Sequence, residues 1–213
     1  MEDVKIDKPK ILTELPLGSF MDIYKNEDYN LSYCYVKDET ISNARIDQVF
    51  LSQVIFENVI FTNLSLENID MTDVVFKNCD LSNASFADSS LFRVEFNNCK
   101  LLGINLSGSS LRNVLFKDSL LNMSSFGFSN LNKVAFDSNI LKMADFYECK
   151  FKNVHFYKCD LDEANFSNTS LNKVDLSNSY FEKLWVSLED LKGCTVSPNQ
   201  ALGFVSMLGV NIK

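Results

Sequence analysis

The chain has few of the residues that interrupt regular structure. Its 213 residues include only 7 glycines and 3 prolines, at Pro9, Pro16 and Pro198, so from residue 17 to 197 no missing N–H bars a backbone hydrogen-bond ladder. A single histidine, His155, and a single tryptophan, Trp185, leave little material for imidazole chemistry. The formal net charge of −8 removes the electrostatic case for direct nucleic-acid binding and favours solubility or a basic partner. The start, MEDVKIDKPK, lacks the basic and apolar regions of a signal peptide. No apolar run reaches membrane-spanning length, and the expected location is cytoplasmic. With 46% apolar and 23% charged residues the composition excludes a disordered chain.

Phenylalanine is abundant instead, with 18 copies. Every fifth residue from Leu31 to Val196 is apolar, 34 positions filled by 13 Phe, 15 Leu and six of Ile, Val or Met, without an insertion. The residue two places earlier is Ala, Val, Ser, Thr or Cys in 26 of 33 cases, the polar misfits being Glu39, Asn139 and Glu189. Asn recurs just before this small residue (Asn58, Asn63, Asn68, Asn78, Asn83, Asn98), as a repeated corner would require. A 20-residue period lies within the 5-residue one. The column from Cys34 reads Val54, Val74, Val94, Val114, Val134, Val154, Val174, Cys194, beside Phe56, Phe76, Phe96, Phe116, Phe136 and Phe156. Four five-residue sides per coil give about 8 coils and a rod roughly 40 Å long at ~4.8 Å per layer.

Units such as CDLSN, ASFAD, ANFSN and VDLSN resemble the pentapeptide-repeat family, whose pattern is A(D/N)LXX, over residues 31–196. The resemblance implies an all-β solenoid, a right-handed quadrilateral β-helix. All six cysteines (Cys34, Cys79, Cys99, Cys149, Cys159, Cys194) fall on the small inward position, so their spacing follows the register and needs no metal. Cys79 and Cys99 stack in successive coils, but reduced core thiols are expected. No phosphate loop, nucleophile–base pair or metal cluster accompanies the repeat, and neither enzymatic activity nor a cofactor is expected.

Two flanking segments fall outside the register. Residues 1–30 read as an N-terminal extension over the first coil, with a short helix around Ser19 to Tyr24. Residues 197–213 read as a short α-helix opened by Ser197, Pro198 and Gln200 in a capping box. Its apolar positions Ala201, Phe204, Val205 and Leu208, followed by Val210 and Ile212, suit either a cap on the last coil or a homodimer interface.

The repeats carry 21 acidic and 15 basic residues, and Asp47, Glu57, Glu67, Asp70, Asp73, Asp80 and Asp88 crowd the early coils. They read either as a solvated surface or as a partner-binding face. Outward apolar stripes, Ile55, Val75 and Leu115 on one side and Ile60, Leu120 and Ile140 on the next, read either as a contact surface or as plain β-propensity. The chain looks like the quinolone-resistance (Qnr-type) branch of the family. That resemblance implies a dimeric rod that mimics DNA, binds a type II topoisomerase such as bacterial DNA gyrase, and modulates fluoroquinolone sensitivity. The alternative is a scaffold module for another protein partner. Neither reading involves membrane or direct nucleic-acid binding.

Overall fold

Each unit turns because one of its five residues is left-handed. In the computed structural model, which describes residues 5–25, 27–205 and 207, this residue recurs at every fifth position from Tyr33 to Lys173. Asn or Asp fills many of these corners and Gly fills two, Gly103 and Gly108, where a left-handed φ costs least. Met123, Phe128 and Met143 adopt the same conformation and are also exposed.

Four corners close a coil, and successive coils stack in parallel register 20 residues apart. Strand β1 (Leu17–Gly18) is followed by a 3-10 helix (Phe20–Lys25) and then β2 (Asn30–Lys37), β3 (Thr40–Ser42), β4 (Phe50–Glu57), β5 (Ile60–Thr62) and β6 (Asp70–Lys77). Next come β7 (Ser90–Asn97), β8 (Ser110–Lys117), β9 (Asn130–Asp137), β10 (Lys150–Tyr157) and the helix α1 (Pro198–Val205). The long sheet runs β1-β2-β4-β6-β7-β8-β9-β10, and β3 pairs with β5. Each eight-residue strand bends over two adjacent sides of the square. The other two sides are tight turns joined by single bridges such as Leu120↔Ile140 and Asn105↔Ser125.

Regular pairing thus spans about seven turns, fewer than the count of units suggests. Above β10, residues 170–177 form turns and a single bridge position rather than a strand, and residues 188–193 are a run of turns, so on this side only the bridge Asp175↔Thr195 continues the ladder.

The interior is a set of stacks. Phe56, Phe76, Phe96, Phe116, Phe136 and Phe156 lie almost parallel with centroids 4.8–5.0 Å apart, and Phe126, Phe146 and Phe166 form a second stack meeting the first edge-on. The small inward residues knit coils together. The Ser109 hydroxyl accepts from Ser89 N at 3.0 Å and donates to Phe86 O at 3.0 Å, and Thr169 does the same for Cys149 N (2.8 Å) and Phe146 O (2.6 Å). The thiols of Cys149 and Cys159 take the same donor place, 3.0 Å from Phe126 O and 3.3 Å from Phe136 O. All six cysteines are free, and burial pushes Cys149 up to about 12 and Cys159 up to about 11, which leaves both inert at neutral pH.

Ser124 is the exception in its column. Its hydroxyl is buried without a partner, whereas Ala84, Ala144 and Ala164 fill equivalent positions. Ser124→Ala is therefore expected to raise stability by about 1 kcal/mol in urea denaturation, because it removes an unpaired buried group at nearly constant volume.

Candidate surface for a protein partner

The outward residues decide what the rod can hold, and both ends of the chain alter that surface. Pro16 O accepts from Tyr35 N at 2.8 Å, and β1 pairs with β2. The 3-10 helix buries Phe20 and Ile23, with Phe20 edge-on to Phe61 at 6.1 Å. Glu39, a misfit in the inward pattern, accepts from Phe20 N at 3.1 Å and so fastens this helix to the first coil. Residues 5–16 then run as a strap along the corner between the two extended sides. Lys10 N donates to Asp73 Oδ1 at 2.8 Å and Asp7 N donates to Asn113 Oδ1 at 3.3 Å. Leu12 and Leu15 lie beside Tyr35 and Ile55, and Val75 is 6% exposed. The lower part of one outward apolar stripe, Ile55 and Val75, is thus covered by the chain itself.

The seven early-coil acids do not form one surface. Asp73 is buried under the strap, where Arg93 grips its carboxylate at 2.5 and 2.6 Å. The expectation that it faces a partner is corrected here, because the guanidinium 20 residues on and the strap 63 residues back both claim it. Burial raises the Asp73 carboxyl, but hydrogen bonds from Arg93 and Lys10 N and the nearby positive charges outweigh it and hold the group below its usual range. A depressed carboxylate stabilises the folded form above the ordinary value of 3.8, and this contribution is lost as pH falls through the lower folded value. Asp73→Asn is expected to make the strap open about tenfold more often at neutral pH, read as faster limited tryptic cleavage after Lys10, and the wild-type strap should open as readily only in strong acid, read by amide hydrogen exchange.

Glu57 and Asp80 are partly neutralised by lysines one coil away, Lys37 at 3.7 Å and Lys100 at 3.6 Å. Asp47, Glu67 and Asp88 remain. All three are exposed, stand at one edge of the square in three successive coils, and take part in no ion pair among the described residues. Asp70 is half-buried on the adjoining side, and Glu27, Asp28 and Asp47 line an acidic hollow at the foot of the edge. Asn68 Nδ2 donates to Asp47 Oδ1 at 2.8 Å and fixes that carboxylate outward. At ~4.8 Å per rung the edge is a short row of negative charge along the rod axis.

A second, apolar surface follows the tight-turn sides higher up. Leu120, Met123, Ile140, Met143 and Phe128 are exposed there, on successive coils.

At the far end, Ser197 N donates to Gln200 Oε1 at 2.7 Å and Gln200 N donates to Ser197 Oγ at 3.3 Å, the reciprocal capping box of α1. Gln200 Nε2 also donates to Leu176 O (3.0 Å) and Ser179 O (2.7 Å), and Phe204 sits 5.8 Å from Phe181. The helix thus covers part of the last coil. Ala201 is exposed, as is Leu202, while Phe204 and Val205 are half-buried. Leu208, Val210 and Ile212 lie outside the described residues. Trp185 is half exposed, with the Lys183 ammonium 3.5 Å over its ring. Among the described residues no helix is long and apolar enough to cross a membrane, and no cluster of three His, Cys, Asp or Glu could hold a metal.

A parallel β-solenoid with five-residue sides, a left-handed corner in each, and stacked Phe within is the architecture of pentapeptide-repeat proteins. The family model for the pentapeptide repeat region matches residues 49–126 and 69–144, that for pentapeptide repeats (8 copies) matches residues 144–182, and the chain belongs to this family.

Among solved structures, trypsin-treated QnrB1, a plasmid-mediated fluoroquinolone resistance protein, is 22% identical (86% of this chain, 98% of that one, TM-score 0.46). HetL from the cyanobacterium Nostoc, involved in heterocyst differentiation regulation, is 15% identical (86% and 98%, TM-score 0.43). A thylakoid-lumen pentapeptide repeat protein of Arabidopsis thaliana is 23% identical (40% and 59%, TM-score 0.39). At these identities and TM-scores the likeness extends to neither site nor partner. No curated protein sequence matches the chain.

Proposed function

We propose that the protein is a non-enzymatic, cytoplasmic binding rod that occupies the DNA-binding surface of a type II topoisomerase and modulates its response to fluoroquinolones. The observation that carries this reading is the edge formed by Asp47, Glu67 and Asp88, a row of exposed carboxylates along the axis of a stiff rod. A cationic groove shaped for duplex DNA meets a similar line of negative charge there. Glu27 and Asp28 of the hollow at its foot extend the row, and Asp70 flanks it on the adjoining side. Two rods joined through α1, with Ala201, Leu202, Phe204, Val205 and the residues beyond meeting their counterparts, would double its length in a symmetric dimer.

The experiment is DNA gyrase supercoiling with the protein titrated in, with and without a fluoroquinolone. Relief of drug inhibition at low protein, and inhibition of supercoiling at high protein, are expected, both lost in Asp47→Lys/Glu67→Lys/Asp88→Lys. An unchanged reaction at micromolar protein refutes the proposal.

One observation favours a second reading, a scaffold for another protein partner. Met123, Phe128 and Met143 spend strain and apolar exposure together at corners where Asn stands in earlier coils, and a docked apolar surface would offset both.

A further inference from the structure

The corner along which the strap runs continues beyond it. Asp73, Arg93 and Asn113 are followed at the same corner by Lys133, Asn153 and Lys173. These three, with Lys152, Asn172 and the strap's own Lys5, line one open hollow of about 640 Å³ whose wall, among the described residues, contains no carboxylate. That departs from the habit of the molecule, in which several outward lysines meet an acid of a neighbouring coil: Lys37 with Glu57 at 3.7 Å, Lys100 with Asp80 at 3.6 Å, Lys142 with Asp160 at 3.2 Å. Lys5, Lys133, Lys152 and Lys173 have no ion-pair partner among the described residues. Four like charges around one hollow repel each other, and an anion placed between them would remove that repulsion.

The donors also indicate which anion. Lys133 and Lys173 stand two rungs apart on one column, about 10 Å, with Lys152 on the rung between. Asn153 and Asn172 alternate with them and offer neutral amide donors. Every cation is lysine. Ammonium groups are compact point donors on flexible stems and suit the many-sided oxygens of phosphate, whereas a planar carboxylate is matched best by the arginine fork. Three charges over this span call for several negative groups in a row. Of the two rings in the wall, Phe151 packs against the core and His155 is half-buried, so neither offers the fully exposed platform on which bases of single-stranded nucleic acid stack.

We propose that this hollow is a binding site for a multiply charged phosphate anion, held by Lys133, Lys152 and Lys173 with Lys5 closing the side at the end of the strap. The site lies in the later coils, away from the acidic edge, and is independent of the topoisomerase reading.

The test is calorimetric titration of the full chain with inorganic triphosphate. Wild type is compared with Lys152→Gln/Lys173→Gln and with Lys117→Gln/Lys158→Gln, which removes the same charge from exposed positions outside the hollow. All four substituted lysines are exposed, and circular dichroism melting checks that the variants fold. One saturable site is expected, weakened at least tenfold in the first variant and less than twofold in the second. Absence of a saturable site, or equal weakening in both variants, overturns the proposal. Tighter binding of a thymidine oligonucleotide than of triphosphate, with the same lysine dependence, would overturn it in favour of nucleic acid.

Discussion

Phe116→Ala is expected to lower the free energy of unfolding by about 3–5 kcal/mol, read as a shift in the urea midpoint. Phe116 is fully buried, stacked 4.9 Å from Phe96 and 5.0 Å from Phe136, with Phe126 edge-on at 5.8 Å. The stack is continuous, and the rungs above and below are held apart by backbone ladders on both sides. The walls therefore cannot collapse into the space left by the ring, and the cost falls at the upper part of the range for cavities. Phe116→Leu, which keeps an apolar residue of the kind used at Leu176 in the same column, should cost under half as much. Because each coil is stabilised mainly by its two neighbours, the loss is expected to show locally, as hydrogen exchange that quickens first in β7, β8 and β9.

Asn139→Ala carries the second largest expected effect, about 2–4 kcal/mol. Asn139 is 1% exposed and bridges two coils: its Oδ1 accepts from Ser119 N at 2.9 Å and its Nδ2 donates to Phe116 O at 2.8 Å. Alanine would leave a backbone N–H and a backbone C=O buried and unpaired, and each such group costs about 1–3 kcal/mol. Asn139→Ser should recover most of the loss, because Ser119 and Ser179 serve the same two-way role one and two coils away, accepting from Cys99 N at 3.0 Å and from Cys159 N at 3.2 Å. If Asn139→Ala and Asn139→Ser were equally destabilising, the volume of the side chain rather than its hydrogen bonds would be what the core requires. Both thermal and urea melts of the pair decide between these.

These two residues show what a sequence of this kind discloses. The Phe stack is legible from the 20-residue spacing alone, and so are the square coil and the corner, because the same steric demand recurs at every fifth residue. Asn139 and Glu39 read as misfits in the inward pattern, and their hydrogen bonds explain both: Asn139 ties its coil to the one below, and Glu39 holds the 3-10 helix to the first coil. The inward cysteines are legible as small core residues, but not as thiol donors standing in for serine, since that role depends on a carbonyl 23 residues earlier.

The strap was hidden for a different reason. Residues 5–16 lie outside the period, and their anchors on Asp73 and Asn113 are 63 and 106 residues away, so no local pattern announces them. For this reason Asp73 read as one more surface acid, and Ile55 and Val75 as free surface. The edge of Asp47, Glu67 and Asp88 could be found only once the acids on other sides and those with lysine partners were set apart by the coil geometry. The lysine hollow has the same origin, in that Lys133, Lys152 and Lys173 are 19 to 40 residues apart in sequence and meet only through the stacking of coils.

The measurement that tests the central claim most directly is binding of the labelled rod to DNA gyrase, followed by fluorescence anisotropy, with duplex DNA as competitor. Saturable binding at micromolar or lower concentration, displaced by DNA and abolished in Asp47→Lys/Glu67→Lys/Asp88→Lys while Lys152→Gln/Lys173→Gln binds as wild type, is the predicted result. Absence of binding, or binding indifferent to DNA and to the three charge reversals, would contradict it.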